Sequence, residues 1–202
     1  MDIQEKQLLA GDPEAFEAFV SANEKAIYNY CLRQCGNTED AADLTQEVFL
    51  RAWRGLSGFA GRSSLRTWLY QIAVHTCVDF ARKRKRRIQT VSLTMENDDG
   101  EETTLEPPDL ENAPETLLEQ REQKRLLETG LASLPVDYRR IVTLRELGGL
   151  SYQEIGEVLG LSEGTVKSRL FRAREKLASW LRQAESGNKS GKPSSKKHRK
   201  GE

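Results

Sequence analysis

The stretch Ser151-Tyr-Gln-Glu-Ile-Gly-Glu-Val-Leu-Gly-Leu-Ser-Glu-Gly-Thr-Val-Lys-Ser-Arg-Leu-Phe-Arg-Ala-Arg174 decides the fold. Ser151 and Glu154 form the Ser-x-x-Glu pattern of a capping box, in which the serine hydroxyl accepts from a backbone amide three residues on and the glutamate reaches back to the serine amide. The short helix that follows turns Ile155, Val158 and Leu159 inward, and Gly160 supplies the left-handed residue that ends it. Leu161 plugs the core and Ser162 caps the next helix. Two helices separated by about three residues, with glycine at the turn, are the signature of a helix-turn-helix.

The second helix, read from Glu163 to about Trp180, has two faces. Val166, Leu170, Ala173, Leu177 and Leu181 make the inward stripe, while Thr165, Lys167, Ser168, Arg169, Arg172, Arg174 and Lys176 flank it or face away. A protruding helix start with hydroxyls, lysine and arginine suits base edges in a major groove and the phosphates beside it. The plain alternative is a salt-bridged surface helix.

Working outward, Leu134-Pro135 punctuates two further helices, one opened by Pro114 and running to about Leu131, the other ending at Leu147-Gly148-Gly149. From Met95 to Glu115 the chain is acidic, contains Pro107-Pro108 and has too little apolar surface to offset its ordering entropy, so it reads as a linker. Before it, Asp12-Pro13-Glu14 starts a helix that breaks at Gly36-Asn37, and Thr38 is the expected cap of the next, which stops at Gly55. A third helix begins near Ser63 or Ser64, with Leu65, Trp68, Leu69, Ile72, Thr76 and Phe80 on one stripe, and it ends in the cations Arg82 to Arg87. The expected fold is all-α: two small helical domains (1–90 and 114–184) joined by a flexible acidic linker (91–113), the second containing the helix-turn-helix, with a disordered basic tail (185–202).

The formal net charge is zero, with 31 basic and 31 acidic residues. That cancellation hides a layout, because residues 88–120 hold ten acids and no Lys or Arg, while the flanking segments are mildly basic. Three cysteines, Cys31, Cys35 and Cys77, imply no disulfide framework and fit a reducing compartment. Cys31 and Cys35 stand one turn apart and could form half of a metal site with His75 or Cys77, but buried small thiols are the commoner reading, and no metal or other cofactor is expected. No signal sequence, membrane span, phosphate-binding glycine loop, nucleophile elbow or carboxylate pair stands out, so an intracellular, cytoplasmic, non-enzymatic chain with no direct membrane insertion is expected.

Three stretches carry a resemblance to a known family: Asp40-Ala-Ala-Asp-Leu-Thr-Gln-Glu-Val-Phe-Leu-Arg-Ala-Trp53, Phe59-Ala-Gly-Arg-Ser-Ser-Leu-Arg-Thr-Trp-Leu-Tyr-Gln-Ile-Ala73, and Leu134-Pro135 through Gly148-Gly-Leu-Ser-Tyr-Gln-Glu-Ile155 and Gly164-Thr-Val-Lys-Ser-Arg-Leu-Phe-Arg-Ala-Arg174. In this order and spacing, over about residues 8–90 and 112–182, the chain resembles a sigma-70 family RNA polymerase sigma factor of the extracytoplasmic function (ECF) group.

The resemblance implies that the first block binds core RNA polymerase and opens the −10 promoter element, and that the second reads the −35 element. Core binding would then fall to Asp40, Asp43, Leu44, Gln46, Glu47, Leu50 and Trp53, of which Asp43, Gln46, Glu47 and Leu50 share one helix side as a mixed acidic and apolar strip. Without the resemblance that strip reads as a solvated face. Contact with −10 DNA would fall to Phe59, Arg62, Ser63, Ser64, Arg66, Thr67, Gln71 and His75, the loop and helix start where an unstacked base would be held. Trp68 lies on the apolar stripe and reads as core rather than as a melting wedge. His75 stands where family members often carry Asn, which puts −10 selectivity in question. The −35 set is Thr165, Lys167, Ser168, Arg169, Phe171, Arg172 and Arg174. Promoter DNA, core polymerase and an anti-sigma factor are the implied partners, the linker would thread the polymerase's RNA exit path, and a stress response is the implied setting. A stand-alone helix-turn-helix transcriptional regulator is the other reading; it would footprint DNA without polymerase.

Overall fold

The computed structural model of the chain describes residues 3–92 and 115–189, and the described residues form eight α-helices and no strand. The helices are α1 (Ile3–Leu9), α2 (Pro13–Cys35), α3 (Thr38–Gly55), α4 (Leu65–Ser92), α5 (Glu115–Ser133), α6 (Val136–Glu146), α7 (Tyr152–Leu159) and α8 (Glu163–Lys189). Both expected helical blocks are present.

Local chemistry sets most of the helix ends. The Asp12 carboxylate accepts from the Glu14 amide at 3.3 Å ahead of Pro13, the first residue of α2. At the next start the cap is Asn37, not Thr38: the Asn37 side-chain oxygen accepts from the amides of Glu39 and Asp40 at 2.8 and 3.0 Å, and Thr38 is the first helical residue. Asn outranks Thr as a cap because its carbonyl reaches two amides without β-branching. Ser64 caps α4, accepting from the Thr67 amide at 3.0 Å. Around α7 the capping box is complete, with Ser151 Oγ accepting from the Glu154 amide at 3.2 Å and Glu154 Oε2 accepting from the Ser151 amide at 2.8 Å.

Two helices overrun the limits drawn from charge. Helix α4 continues through the cations to Ser92, inside the expected linker, and α8 continues past Trp180 to Lys189, inside the expected tail. Arginine, lysine and glutamine are good helix formers, and cations are tolerated at a helix C-terminus, so a change in charge is not a stop signal. The rest of the linker from 93 to 113 and of the tail from 190 to 202 lies outside the described residues.

Helices α2, α3 and α4 pack through Ile27, Val48, Phe49, Leu69 and the Tyr30–Tyr70 pair, whose rings meet edge to face at 5.8 Å. Helices α5 to α8 close around Leu131, Ile141, Leu144, Ile155, Val166 and Leu170. The two halves also touch each other. Arg33 on α2 pairs with Glu128 on α5 at 3.0 Å, Arg139 on α6 donates to the Arg33 carbonyl at 3.4 Å, and α7 rests on α4.

Within the helix-turn-helix, two glycines have opposite surroundings. The chain turning out of α7 brings the Leu161 carbonyl to 2.6 Å from where a Cβ on Gly156 would stand, so the turn requires glycine there, whereas a Cβ on Gly164 in α8 would meet nothing within 4 Å. Gly156→Ala should therefore destabilise the chain by about 1–3 kcal/mol through a backbone clash. Gly164→Ala should stabilise it by about 0.5 kcal/mol by restricting the unfolded chain. Chemical denaturation of the two variants checks the opposite signs.

Candidate nucleic-acid interface

The outward face of α8 is assembled from its cap. Ser162 Oγ accepts from the Thr165 amide at 3.3 Å and lies 2.8 Å from the Thr165 hydroxyl. Beyond it Lys167, Ser168, Phe171, Arg172 and Arg174 are exposed and Arg169 is half-buried. Phe171 is 63% exposed, too much for a core residue and suited to apolar contact in a groove. The expected −35 residues thus share one open surface.

Two of its cations are held by acids that sequence reading did not single out. Lys167 pairs with Glu163 at 2.6 Å, one turn back, and Arg174 pairs with Glu146 of α6. The carboxylates raise both side chains above their ordinary values. Tyr152, beside the Ser151 cap, lies under both the Lys167 ammonium at 5.5 Å and the Arg145 guanidinium at 4.9 Å. Arg145 in turn donates to the Leu150 carbonyl at 2.7 Å, so α6, α7 and α8 meet at this ring. A tyrosine one residue after a cap is the only sequence signal for this support.

The −10 set is divided by the structure. Phe59 stacks tilted on Trp68 at 5.3 Å, and with Arg62, Ser63 and Gln71 they line a shallow cavity of about 340 Å³. Trp68 is half-buried and packs on the core, as its place on the apolar stripe implied. His75 is exposed one turn beyond Gln71, on the same side of α4. Thr67, however, is 0% exposed and is not presented to a ligand. Its hydroxyl lies 2.7 Å from Ser64 Oγ and donates to Glu154 of α7 at 2.8 Å. Arg66 donates to the Gly148 carbonyl and Gln71 to the Glu157 carbonyl. No sequence signal pointed to this cover, because it depends on how two separate helical blocks meet.

On α3, Asp43, Gln46 and Leu50 are open to solvent, Leu50 at 48%. Glu47 beside them accepts from Arg51 at 2.6 Å, which holds its carboxyl below the usual range, and Arg51 also reaches Asp79 on α4 at 3.3 Å. Trp53 is partly exposed and meets Phe16 edge-on at 4.7 Å, while Asp40 is half-buried. Leu44 is only 6% exposed: it belongs to the core of the helical packing and not to the strip. One residue away from Asp43, a helix turns a side chain by about 100°, which places Leu44 inward.

The thiols show no metal arrangement. Cys31 and Cys77 face each other in the core at 3.9 Å, and Cys35 turns away to donate to the Asn37 carbonyl at 3.2 Å. Among the described residues no group of three or more potential ligands converges.

Residues 19–87 match the family described as sigma-70 region 2, and residues 124–177 match sigma-70, region 4. A relative in Bacillus subtilis, the ECF RNA polymerase sigma factor SigW, is 34% identical over 184 residues, 88% of this chain and 94% of its own. The chain belongs to the sigma-70 family, ECF group. The ECF RNA polymerase sigma-E factor of Escherichia coli K12 is 36% identical over 165 residues, covering 82% of this chain and 85% of its own. The sigma factor RpoE of Bartonella quintana, solved with the anti-sigma factor NepR, shares the fold at a TM-score of 0.64 and 23% identity over 83% of this chain and 96% of its own. In this ECF chain the α3 strip and the −10 set fall inside the region 2 match, and the α8 face falls inside the region 4 match.

Glu154 supplies a pH-dependent contribution. Its hydrogen bonds from the Ser151 amide, and then from Ser151 and Thr67 side chains, hold its carboxyl below the ordinary value. A carboxyl depressed in the folded state adds stability above its unfolded pKa, and that stability is lost as pH falls through the folded one. Thermal unfolding between pH 6 and pH 3 should therefore fall less steeply for Glu154→Gln, which keeps a capping side chain without a titrating proton, than for the unaltered chain.

Proposed function

We propose that this chain is a dissociable initiation subunit of RNA polymerase that carries promoter recognition and has no catalytic role of its own. The observation that carries the reading is the co-existence, on one chain, of an acidic and apolar strip on α3 and an exposed hydroxyl, aromatic and cationic face on α8. Each suits a different partner. Acids steer a basic protein surface and Leu50 adds buried area, which fits docking to core polymerase. Thr165, Lys167, Ser168, Phe171 and Arg172 supply base-edge, methyl and phosphate contacts, which fits −35 DNA.

Between them, the cavity under Phe59 and Trp68 has an aromatic wall and polar edges from Arg62, Ser63 and Gln71. Those are the requirements for holding an unstacked base after strand separation, which costs a few kcal/mol. In this reading the units are 1–90, for core binding and −10 melting, and 114–184, for −35 recognition, joined by 91–113 and followed by a basic tail, 185–202. The setting is the cytoplasm, under an anti-sigma factor in a stress response; among the described residues no helix is long and apolar enough to cross a membrane.

Transcription in vitro with purified core polymerase and a promoter library tests the reading. Transcripts should depend on the added chain. Promoter footprints by the chain without polymerase, together with no chain-dependent transcripts, would instead identify a stand-alone regulator. Asp43→Arg should weaken core binding about tenfold by placing a cation on the steering face, with unfolding unchanged. Co-purification with core at wild-type yield would refute that role for α3. His75→Asn should shift base preference in the −10 positions of the same library, since a side chain that can carry charge is replaced by a neutral amide.

A further inference from the structure

The three thiols take no part in the surfaces described above. Cys31 on α2 and Cys77 on α4 are buried, at 0% and 5% exposure, and the Cys77 thiol donates to the Cys31 sulfur across 3.9 Å. Cys35, one turn along α2 from Cys31, does not join them, since its thiol donates to the Asn37 carbonyl at 3.2 Å. The two paired cysteines are 46 residues apart in sequence, so only the fold brings them together.

The pair is not sealed off. A cavity of about 430 Å³ opens beside it, with Cys35 and Leu44, then Cys77 and Phe80, and the exposed Arg84 and Lys85 in its wall. That is room for several water-sized molecules. Cys77 belongs to the wall and Cys31 does not, so a small solute that enters meets Cys77 first.

We propose that Cys31 and Cys77 are a reversible oxidation site, a dithiol that hydrogen peroxide entering this cavity converts to a disulfide joining α2 to α4. Such a link acts on the fold whatever partners the chain binds, and it holds independently of the function proposed above.

The chemistry balances with one peroxide. The Cys77 sulfur attacks a peroxide oxygen, the O–O bond breaks, and the thiol proton leaves with the displaced hydroxide as water, giving a sulfenic acid. The Cys31 sulfur then attacks the Cys77 sulfur, the S–O bond breaks, and the hydroxyl leaves with the Cys31 proton as a second water. Two thiols and one peroxide become one disulfide and two waters. The sulfurs must close from 3.9 Å to about 2.05 Å, a small movement shared by two side chains.

The bond from Cys77 holds Cys31 below the ordinary thiol range, which suits it to the second step because the thiolate is the attacking form. The same bond, and then burial, push Cys77 up, so the first step is slow and needs sustained peroxide. In a reducing compartment the dithiol is therefore the resting form. Cys35 shares the cavity wall but is bonded to a carbonyl and not to a sulfur, so its oxidation adds oxygen and runs on toward the irreversible acids.

Peroxide treatment of the full chain, read by mass spectrometry, tests this. The folded chain should lose two hydrogens and yield a linked 31–77 peptide in at least tenfold excess over a 31–35 link, and dithiothreitol should restore it. In guanidinium chloride the preference should reverse, because thiols close in sequence meet more often than thiols far apart. Cys35→Ser should leave the 31–77 link unchanged. Cys31→Ser should leave Cys77 as a sulfenic acid that dimedone labels, whereas Cys77→Ser should leave Cys31 unlabelled. In the oxidised chain the amide hydrogens of α2 and α4 should exchange at least tenfold more slowly than in the reduced one.

A dominant 31–35 link in the folded chain, or oxygen added to Cys35 with no loss of two hydrogens, would overturn the site. Dimedone on Cys31 in the Cys77→Ser chain would overturn the order of attack, and unchanged exchange after oxidation would overturn the clamping of α2 to α4. If a serine variant loses its helical circular dichroism, the ratio of linked peptides in the wild-type chain decides the matter alone.

Discussion

One carboxylate has a place in every level of this structure. Glu154 accepts from the Ser151 amide with one oxygen and from the Thr67 hydroxyl with the other, at 2.8 Å each. The first contact starts α7, a helix of eight residues that is too short to be stable without its cap and its packing. Helix α7 sets the turn at Gly160, the turn sets the direction of α8, and α8 carries the exposed hydroxyl, aromatic and cationic face. The second contact joins that helix-turn-helix to the first half of the chain. An ionised acceptor makes stronger hydrogen bonds than a neutral one, so both links weaken together when the carboxyl is protonated or replaced.

Charge is arranged here by local pairing more than by total. The chain is neutral as a whole, yet its α8 face is cationic and its α3 strip is acidic. On α8, Glu163 and Glu146 hold Lys167 and Arg174 in place. Exposed pairs of this kind add little stability, but they limit where a long side chain can point. A phosphate approaching the face must compete with those carboxylates, which lowers affinity for any DNA backbone and leaves Ser168, Phe171 and Arg172 relatively more weight in the contact. The same logic holds on α3, where Arg51 ties Glu47 to Asp79 while Asp43 is left open.

The helices and most of their starts were legible in the sequence because they rest on interactions spanning three or four residues. Asp12, Ser64, Ser151, Gly160 and Ser162 do what their residue types and neighbours imply. Asn37 was missed for Thr38 since two capable caps stand side by side and only geometry separates them. Leu44 was misplaced by following a motif and not the helical angle, which turns it into the core. The overrun of α4 had no local stop residue to announce it, whereas α8 runs on through Gly187 and Asn188, residue types that commonly end helices. Thr67, Arg66 and Gln71 could not have been read correctly from neighbours at all, because their partners are more than eighty residues away, on a different helical block.

That last group points to a general tension in a chain of this kind. A surface that must bind unstacked bases needs aromatic walls and unsatisfied hydroxyl, amide and guanidinium groups, and such a surface is costly to leave facing water when a partner is in reach. In this chain the nearest partner is its own helix-turn-helix, tethered and therefore present at high effective concentration. The helix-turn-helix and the loop before it satisfy the polar groups of Thr67, Arg66 and Gln71, while at the junction of α2 and α6 the Nε atoms of Arg33, Arg139 and Arg140 stay buried without a hydrogen bond. A fully complementary junction would hide the surface for good, and an absent one would leave it exposed. The arrangement of Glu154 against Thr67 and of Arg33 against Arg139 lies between those limits.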